Sequence, residues 1–356
     1  MKKAYLILSN GTVFEGYKIG ADTESIGEVV FSTGMVGYLE TLTDPSYAGQ
    51  IVVQTFPLIG NYGVIPPDFE GTCAVKGYVV RSLCDAPSNF RSEYALDAFL
   101  KANRVCGLCG VDTRYLTKIL REQGVMNGMI SDTPAPPMRA ITEYRVAGVV
   151  AQVSSTERRE LPAVGPEKYR VALIDYGAKK SIAAYLQQRG CRVLCFPAGT
   201  PGEEILRADP DGIMLSNGPG DPAEDLYQID QIKKFVGKKP LFGICLGHQL
   251  TALALGGRTT KLKYGHHGVN QPVKEVGGSR TYITSQNHGY AVLAASLTGV
   301  GEESFVNAND GSCEGMEYPA LNAFTVQFHP EANGGPHDTE FLFDRFLCMM
   351  EREKHA

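Results

Sequence analysis

Residues 241–250 read Leu-Phe-Gly-Ile-Cys-Leu-Gly-His-Gln-Leu. Leu241–Ile244 has the continuous apolar character of a strand buried on both faces. Leu246–Leu255 follows as a helix. Cys245 therefore stands where a strand turns directly into a helix. Gly243 lies two residues before it and Gly247 two after. That is the spacing of a nucleophile elbow, a strained turn that lifts a nucleophile above a sheet. Glycine is required there because a side chain would clash with the neighbouring strand and helix. A helix N-terminus beneath the sulfur favours thiolate. The backbone N–H groups of Leu246 and its neighbours point where an oxyanion would form. For an isolated cysteine, burial at an ordinary strand end is the simpler reading. The paired glycines argue against it, but the elbow alone leaves several hydrolase chemistries open.

Outward from the elbow, strands and helices alternate. Tyr169–Asp175 reads as a buried strand and Lys179–Arg189 as a helix closed by Gly190. Arg192–Phe196 is a strand and Glu203–Ala208 a short helix. Gly212–Leu215 is a strand ending in the loop Ser216–Pro222, and Leu226–Phe235 is a helix. The alternation predicts a mostly parallel sheet with helices on both faces. Residues 269–328 read mostly as strands and turns, and Thr339–Glu353 as a closing helix.

The N-terminal half has a different texture. Short β-type runs at Ala4–Leu8, Glu28–Phe31, Gln50–Thr55 and Gly77–Val80 are broken by frequent turns. One clear helix, Arg114–Gln123, has Asp112 or Thr113 as cap and Gly124 as stop. The polar stretch 154–168, SSTERRELPAVGPEK, lacks periodicity and reads as a linker. The expected organisation is an α/β chain: a β-rich domain over 1–153, a linker over 154–168, and a parallel-sheet domain over 169–356.

Composition narrows the function classes. The chain has 356 residues, 43% hydrophobic and 21% charged, which excludes a mainly disordered protein. A net charge of -5 argues against a broadly basic nucleic-acid surface. No apolar run approaches the ~20 residues of a membrane helix, and the apolar stretch near the N-terminus is too short for a signal-peptide core. Nine scattered cysteines point to reduced thiols in a cytoplasmic protein. Cys106–Gly107–Leu108–Cys109 is half a zinc site without a second half, so two ordinary cysteines are expected and no metal.

A thiolate nucleophile needs a base, and the base an orienter. Of seven histidines, His355 lies in the tail, His266 and His267 in a Gly-flanked loop, and His248 on the elbow helix facing partly away. His288, His329 and His337 remain. His329 follows the apolar run Phe324–Phe328 and precedes Pro330–Glu331, so it can be a base with a carboxylate orienter two residues on.

Taken together, Gly243–Gln249 and Phe328–His329–Pro330–Glu331–Ala332, with the loop Ser216–Pro222, resemble the signature of class I glutamine amidotransferases. Gly37–Tyr47 (GYLETLTDPSY) with Gln50–Val52, Ile59–Gly63 and Gly110–Thr117 (GVDTRYLT) resembles the small chain of carbamoyl-phosphate synthase. Asp175–Lys179 and Gln286–Tyr290 agree with it. The resemblance covers essentially the whole chain.

It implies a class I amidotransferase domain in which Cys245, His329 and Glu331 release ammonia from L-glutamine through a thioester. It implies Ser46, Gly218, Gly220, Leu246, Gln249, Asn287, Gly289 and Tyr290 as the glutamine-binding and oxyanion residues. Because Ser46 is in the first domain, the site is expected between domains. The chain has no phosphate loop, so ATP and magnesium are expected on a larger partner subunit that makes carbamoyl phosphate for arginine or pyrimidine synthesis. Amidotransferases of anthranilate or guanylate formation are the alternative, and the N-terminal motifs argue against them. A non-catalytic subunit that has kept the fold is disfavoured because all three triad residues are present. Departures from the family pattern are Ala332–Asn333–Gly334–Gly335–Pro336, Ser181 and Tyr290.

Overall fold

The computed structural model describes residues 2–355. They form two compact units. One runs up to Ala147 and includes Lys263–Gly268; the other takes Gly148–Leu262 and the chain from Val269 onward.

In the first unit seven strands close a barrel in the order Lys3–Leu8, Val13–Gly20, Cys106–Cys109, Gly77–Val79, Gln50–Gln54, Ser25–Ser32 and Met126–Ser131. The last strand returns to the first, with Tyr5 opposite Ser131. Side chains alternate between the two faces of each strand. Val29 and Ile51 join one core, with Leu6, Leu8 and the Leu116–Ile119–Leu120 stripe of the helix Thr113–Gln123. Val30 and Val52 join the other, under the short helices Tyr38–Thr43 and Leu96–Ala102. Asp112 caps the helix Thr113–Gln123 by accepting from Tyr115 N at 3.0 Å, and Gly124 ends it at φ 94°. Cys106 and Cys109, three apart on one strand, fall into opposite cores. That geometry keeps them from sharing a ligand.

The second unit holds a ten-stranded sheet. Its five parallel strands lie in the order Cys191–Pro197, Tyr169–Asp175, Gly212–Leu215, Leu241–Ile244 and Ala323–Val326. In chain order this is 2-1-3-4-5, a doubly wound arrangement that opens a crevice beyond the carboxyl ends of its strands. On one face Ile174, Ile213 and Leu215 pack with Ile229, Ile232 and Leu250 of the helices Leu226–Phe235 and Leu246–Ala254. On the other, Leu173, Met214, Phe242 and Val326 pack with Ile182, Leu186, Phe343 and Phe346 of the helices Lys180–Gln188 and Phe341–Lys354. Among the described residues no helix is long and apolar enough to cross a membrane.

Three details differ from the sequence reading. The helix Val149–Val153 belongs to the second unit, where Val150 joins its core. The polar stretch 154–168 contains the edge strand Arg159–Leu161, antiparallel to Cys191–Pro197. An edge strand of three residues needs only one apolar contact, here Leu161, so it carries no periodicity. His266 and His267 are not in a loop but buried within the long strand Thr259–Glu275. Their glycine neighbours read as turn signals although residues 265–268 are all buried.

Phe242 anchors the second core: its ring stacks on Phe324 at 4.3 Å between centroids and meets Phe343 edge-on at 5.8 Å. Phe242→Ala is expected to lower the unfolding free energy of the second unit by about 3–5 kcal/mol. Urea titration followed by circular dichroism checks this, and Phe242→Leu should cost far less.

Candidate active site

Cys245 begins the helix Leu246–Ala254 with φ 52° and ψ −103°. A non-glycine residue held there costs on the order of 1–3 kcal/mol, and the surroundings must over-determine it. Cys245 N donates to Val326 O at 2.8 Å, and Gly247 N to Ser216 O at 3.1 Å. A Cβ on Gly243 would lie 2.9 Å from Gly247 O, and one on Gly247 only 2.6 Å from Leu215 O. The two glycines thus let the strand, the turn and the next strand close on one another.

His329 lies just beyond the neighbouring strand Ala323–Val326, with His329 N bound to Ser285 O at 2.9 Å. Its Nδ1 is 2.6 Å from Glu331 Oε1. That bond favours the tautomer with its proton on Nδ1 and leaves Nε2 buried without a hydrogen-bond partner among the described residues. His329, Glu331 and Cys245 are all buried. Lys179 Nζ reaches in from the first helix of the parallel sheet, 3.2 Å from His329 Nδ1 and 3.5 Å from Glu331 Oε1.

The electrostatics are a contest. Burial and the Lys179 ammonium both disfavour a charged imidazole. The Glu331 carboxylate, the nearby Cys245 thiol and the hydrogen bond to Glu331 outweigh them, and the ring is raised from 6.5 to about 9. Burial pushes the Glu331 carboxyl up, but the His329 and Lys179 charges bring it down to about 2. Glu331 is therefore an anion and His329 a cation at neutral pH. His248 goes the other way: with nothing but burial acting, its imidazole falls to about 3. It is held by Thr325 Oγ1 at 2.8 Å, a packing residue of the elbow helix.

Two loops at the carboxyl ends of adjacent strands brace this set. Asp175 Oδ1 accepts from Gly177 N and Ala178 N at 3.0 and 2.8 Å. Asn217 Oδ1 accepts from Lys179 N at 3.0 Å, and Ser216 Oγ from Tyr176 N at 2.9 Å. The sequence motif Asp175–Lys179 contained Lys179 without suggesting a role. Only the distances to His329 and Glu331 reveal one.

Several expected binding residues converge near the thiol. Cys245 Sγ is 3.7 Å from Asn287 O. Gln249 Nε2 donates to Tyr290 O at 2.9 Å and to Gln327 Oε1 at 2.9 Å. Asn287, Gly289 and Tyr290 share the strand Thr281–Val292. A Cβ on Gly218 would lie 2.6 Å from Leu246 Cδ2, so the two candidate oxyanion donors adjoin. Leu246, first in its helix, has no carbonyl one turn earlier for its N–H to bind. Gly220 lies two residues beyond Gly218 at φ 95°, beside Val149. Ser46 belongs to the first unit, buried on the turn Pro45–Tyr47, with its N bound to Asp44 Oδ1 at 2.9 Å. Of the other histidines, His288 Nδ1 is engaged by Tyr290 O at 2.8 Å, and His337 pairs with Glu340 at the surface. In the loop that departs from the family pattern, Ala332 takes φ 27°, a left-handed value directly after the orienting carboxylate.

A buried cysteine at a strained elbow, with a buried histidine bonded to a carboxylate, is the set of groups that acyl transfer calls for. The ring of His329 is expected to titrate near pH 9 by NMR in the intact chain. Glu331→Gln removes the largest raising influence, so the titration should move to lower pH; an unmoved ring would show that the carboxylate does not set its charge.

Residues 6–130 match the family described as carbamoyl-phosphate synthase small chain, CPSase domain. Residues 172–349 match glutamine amidotransferase class-I. The carbamoyl phosphate synthase small chain of Clostridium perfringens is 50% identical over 349 residues, 97% of this chain and 99% of that protein. The one from Oceanobacillus iheyensis is 47% identical over 99% of this chain and 98% of that protein. The one from Listeria innocua is 48% identical over 366 residues and covers 100% of both.

Proposed function

This chain belongs to the family of carbamoyl-phosphate synthase small chains, and from that premise we propose a specific chemistry for its buried site. Class I amidotransferase membership makes it the glutamine-hydrolysing subunit of such an enzyme, with a large subunit as partner. The observation that carries the mechanism is the left-handed Cys245 at the elbow, facing a His329 already bonded to Glu331.

The Cys245 thiolate attacks the side-chain amide carbon of L-glutamine, and the carbonyl π electrons move to oxygen. The N–H groups of Leu246 and Gly218 receive that oxyanion. As it collapses, imidazolium His329 gives its proton to the departing nitrogen, so the C–N bond breaks to ammonia and a thioester remains. His329 then takes a proton from water as its oxygen attacks the thioester; collapse breaks the C–S bond, releases glutamate and one proton, and restores the Cys245 thiolate beside imidazolium His329. Glu331 holds the ring in one tautomer and stabilises its charged form.

Gln249, Asn287, Gly289 and Tyr290, with Gly220 and Ser46, are assigned to the amino-acid head group on the family resemblance. A zwitterion needs several fixed polar partners, and these residues supply backbone and amide groups. The ammonia passes to the large subunit, which carries ATP and magnesium and makes carbamoyl phosphate from bicarbonate in the cytoplasm, for arginine or pyrimidine synthesis.

Cys245→Ser should lower glutamine-dependent synthesis by at least about 10³-fold while ammonia-dependent synthesis by the complex persists. Persistent glutamine use would remove Cys245 as nucleophile. Because the leaving nitrogen needs the His329 proton, kcat/KM for glutamine should fall as pH rises through about 9. Glu331→Gln should bring that alkaline limb to lower pH. A limb that stays in place would separate the observed ionisation from His329.

A further inference from the structure

A second candidate site lies in the first unit, on the outward side of the helix Thr113–Gln123. Arg114, Thr117, Lys118, Arg121 and the carboxylate Glu122, with Lys263 and Tyr264 of the strand Thr259–Glu275, line a groove of about 550 Å³ in which four cations outnumber one anion. Both walls are fixed. Val125 N donates to Lys263 O at 2.8 Å, directly after the helix stop. A Cβ on Gly124 would sit 3.0 Å from that same oxygen, so glycine allows the close approach. Tyr264 packs against Phe31 at 6.0 Å between centroids, and the Arg121 guanidinium lies 5.7 Å from its ring.

Cations on an exposed helix are usually a solvated face. Here three observations point elsewhere. First, Arg114, Lys118 and Arg121 recur at i, i+4 and i+7, so like charges stack along one stripe, an arrangement that destabilises a helix. Second, among the described residues Arg114, Arg121 and Lys263 have no carboxylate partner, while Lys118 meets Glu122 only at 3.8 Å between two exposed ends. This positive groove occurs on a chain of net charge -5. Third, Thr117 is among the lining residues, and its hydroxyl is buried behind the groove wall without a hydrogen-bond partner. Nothing in the Cys245 chemistry uses these residues, although Arg114 and Thr117 come from the Gly110–Thr117 motif.

We propose that this groove binds a small polyanion carrying two or more phosphate groups. Arginine forks match phosphate oxygens in bidentate fashion, and lysines add point charge. The volume lies in the range of small-molecule sites. A docking face for a protein would centre on apolar or aromatic anchors. This groove offers one tyrosine ring, already covered by Arg121. The proposal is independent of the assignment of Cys245.

Isothermal titration of the full chain with pyrophosphate and tripolyphosphate, with citrate as a carboxylate polyanion, tests it. The expected result is saturable one-to-one phosphate binding that weakens with salt and drops at least tenfold in the double variant R114Q/R121Q. Lys263→Gln, on the other wall, should weaken it too, which guards against a helix variant that misfolds. Absence of saturable phosphate binding by the unaltered chain overturns the proposal, as does unchanged affinity in folded variants. Citrate bound as tightly as pyrophosphate overturns the phosphate assignment. Loss of large-subunit binding by R114Q/R121Q, with no phosphate bound by the unaltered chain, would make the groove a protein contact instead.

Discussion

The backbone of Cys245 is the constraint on which the second unit is built. A cysteine at φ 52° is held against its own preference. What holds it is a bond to Val326 O on the neighbouring strand and the close passage of Gly243 and Gly247 against adjacent backbone. The parallel sheet supplies both. If the strands Gly212–Leu215, Leu241–Ile244 and Ala323–Val326 did not lie side by side, the elbow would relax and the sulfur would turn away. Packing of Phe242 against Phe324 and Phe343 is therefore part of the same device, since it sets the spacing of those strands.

The charges around the sulfur form a second constraint. Lys179, His329 and Glu331 are close together and buried, where an unpaired charge is costly. Lys179 limits how far Glu331 can raise the ring, so the charge of the imidazole is set by a balance of neighbours rather than by one partner. The groove beside the helix Thr113–Gln123 is the opposite case: its four cations are exposed, and only Lys118 meets a carboxylate, Glu122 at 3.8 Å.

Most of the second unit was legible because its elements are long or strongly apolar. The strands Gly212–Leu215 and Leu241–Ile244 and the helix Leu226–Phe235 have the bounds that hydrophobic runs and periodicity suggest. Short or two-sided elements were not. Arg159–Leu161 is an edge strand whose polar residues read as linker, and His266 and His267 are covered on both faces, which erases the alternation that marks a strand. The barrel of the first unit was visible only as short β-type runs. Closure depends on pairing Lys3–Leu8 with Met126–Ser131, far apart in the chain, and no local pattern encodes such a pairing.

The chemistry available is written in short stretches of chain: a cysteine between two glycines at a strand–helix junction, and a histidine followed by proline and glutamate. Those are local facts, since backbone strain and capping act over a few residues. How the groups act on one another follows from the assembled sheet. It brought Glu331 Oε1 to 2.6 Å from the ring, inserted Lys179 beside both, and set Asn287 O near the sulfur. Charge interactions depend on distance and burial, and those are settled by strands and loops that meet only when the sheet has formed.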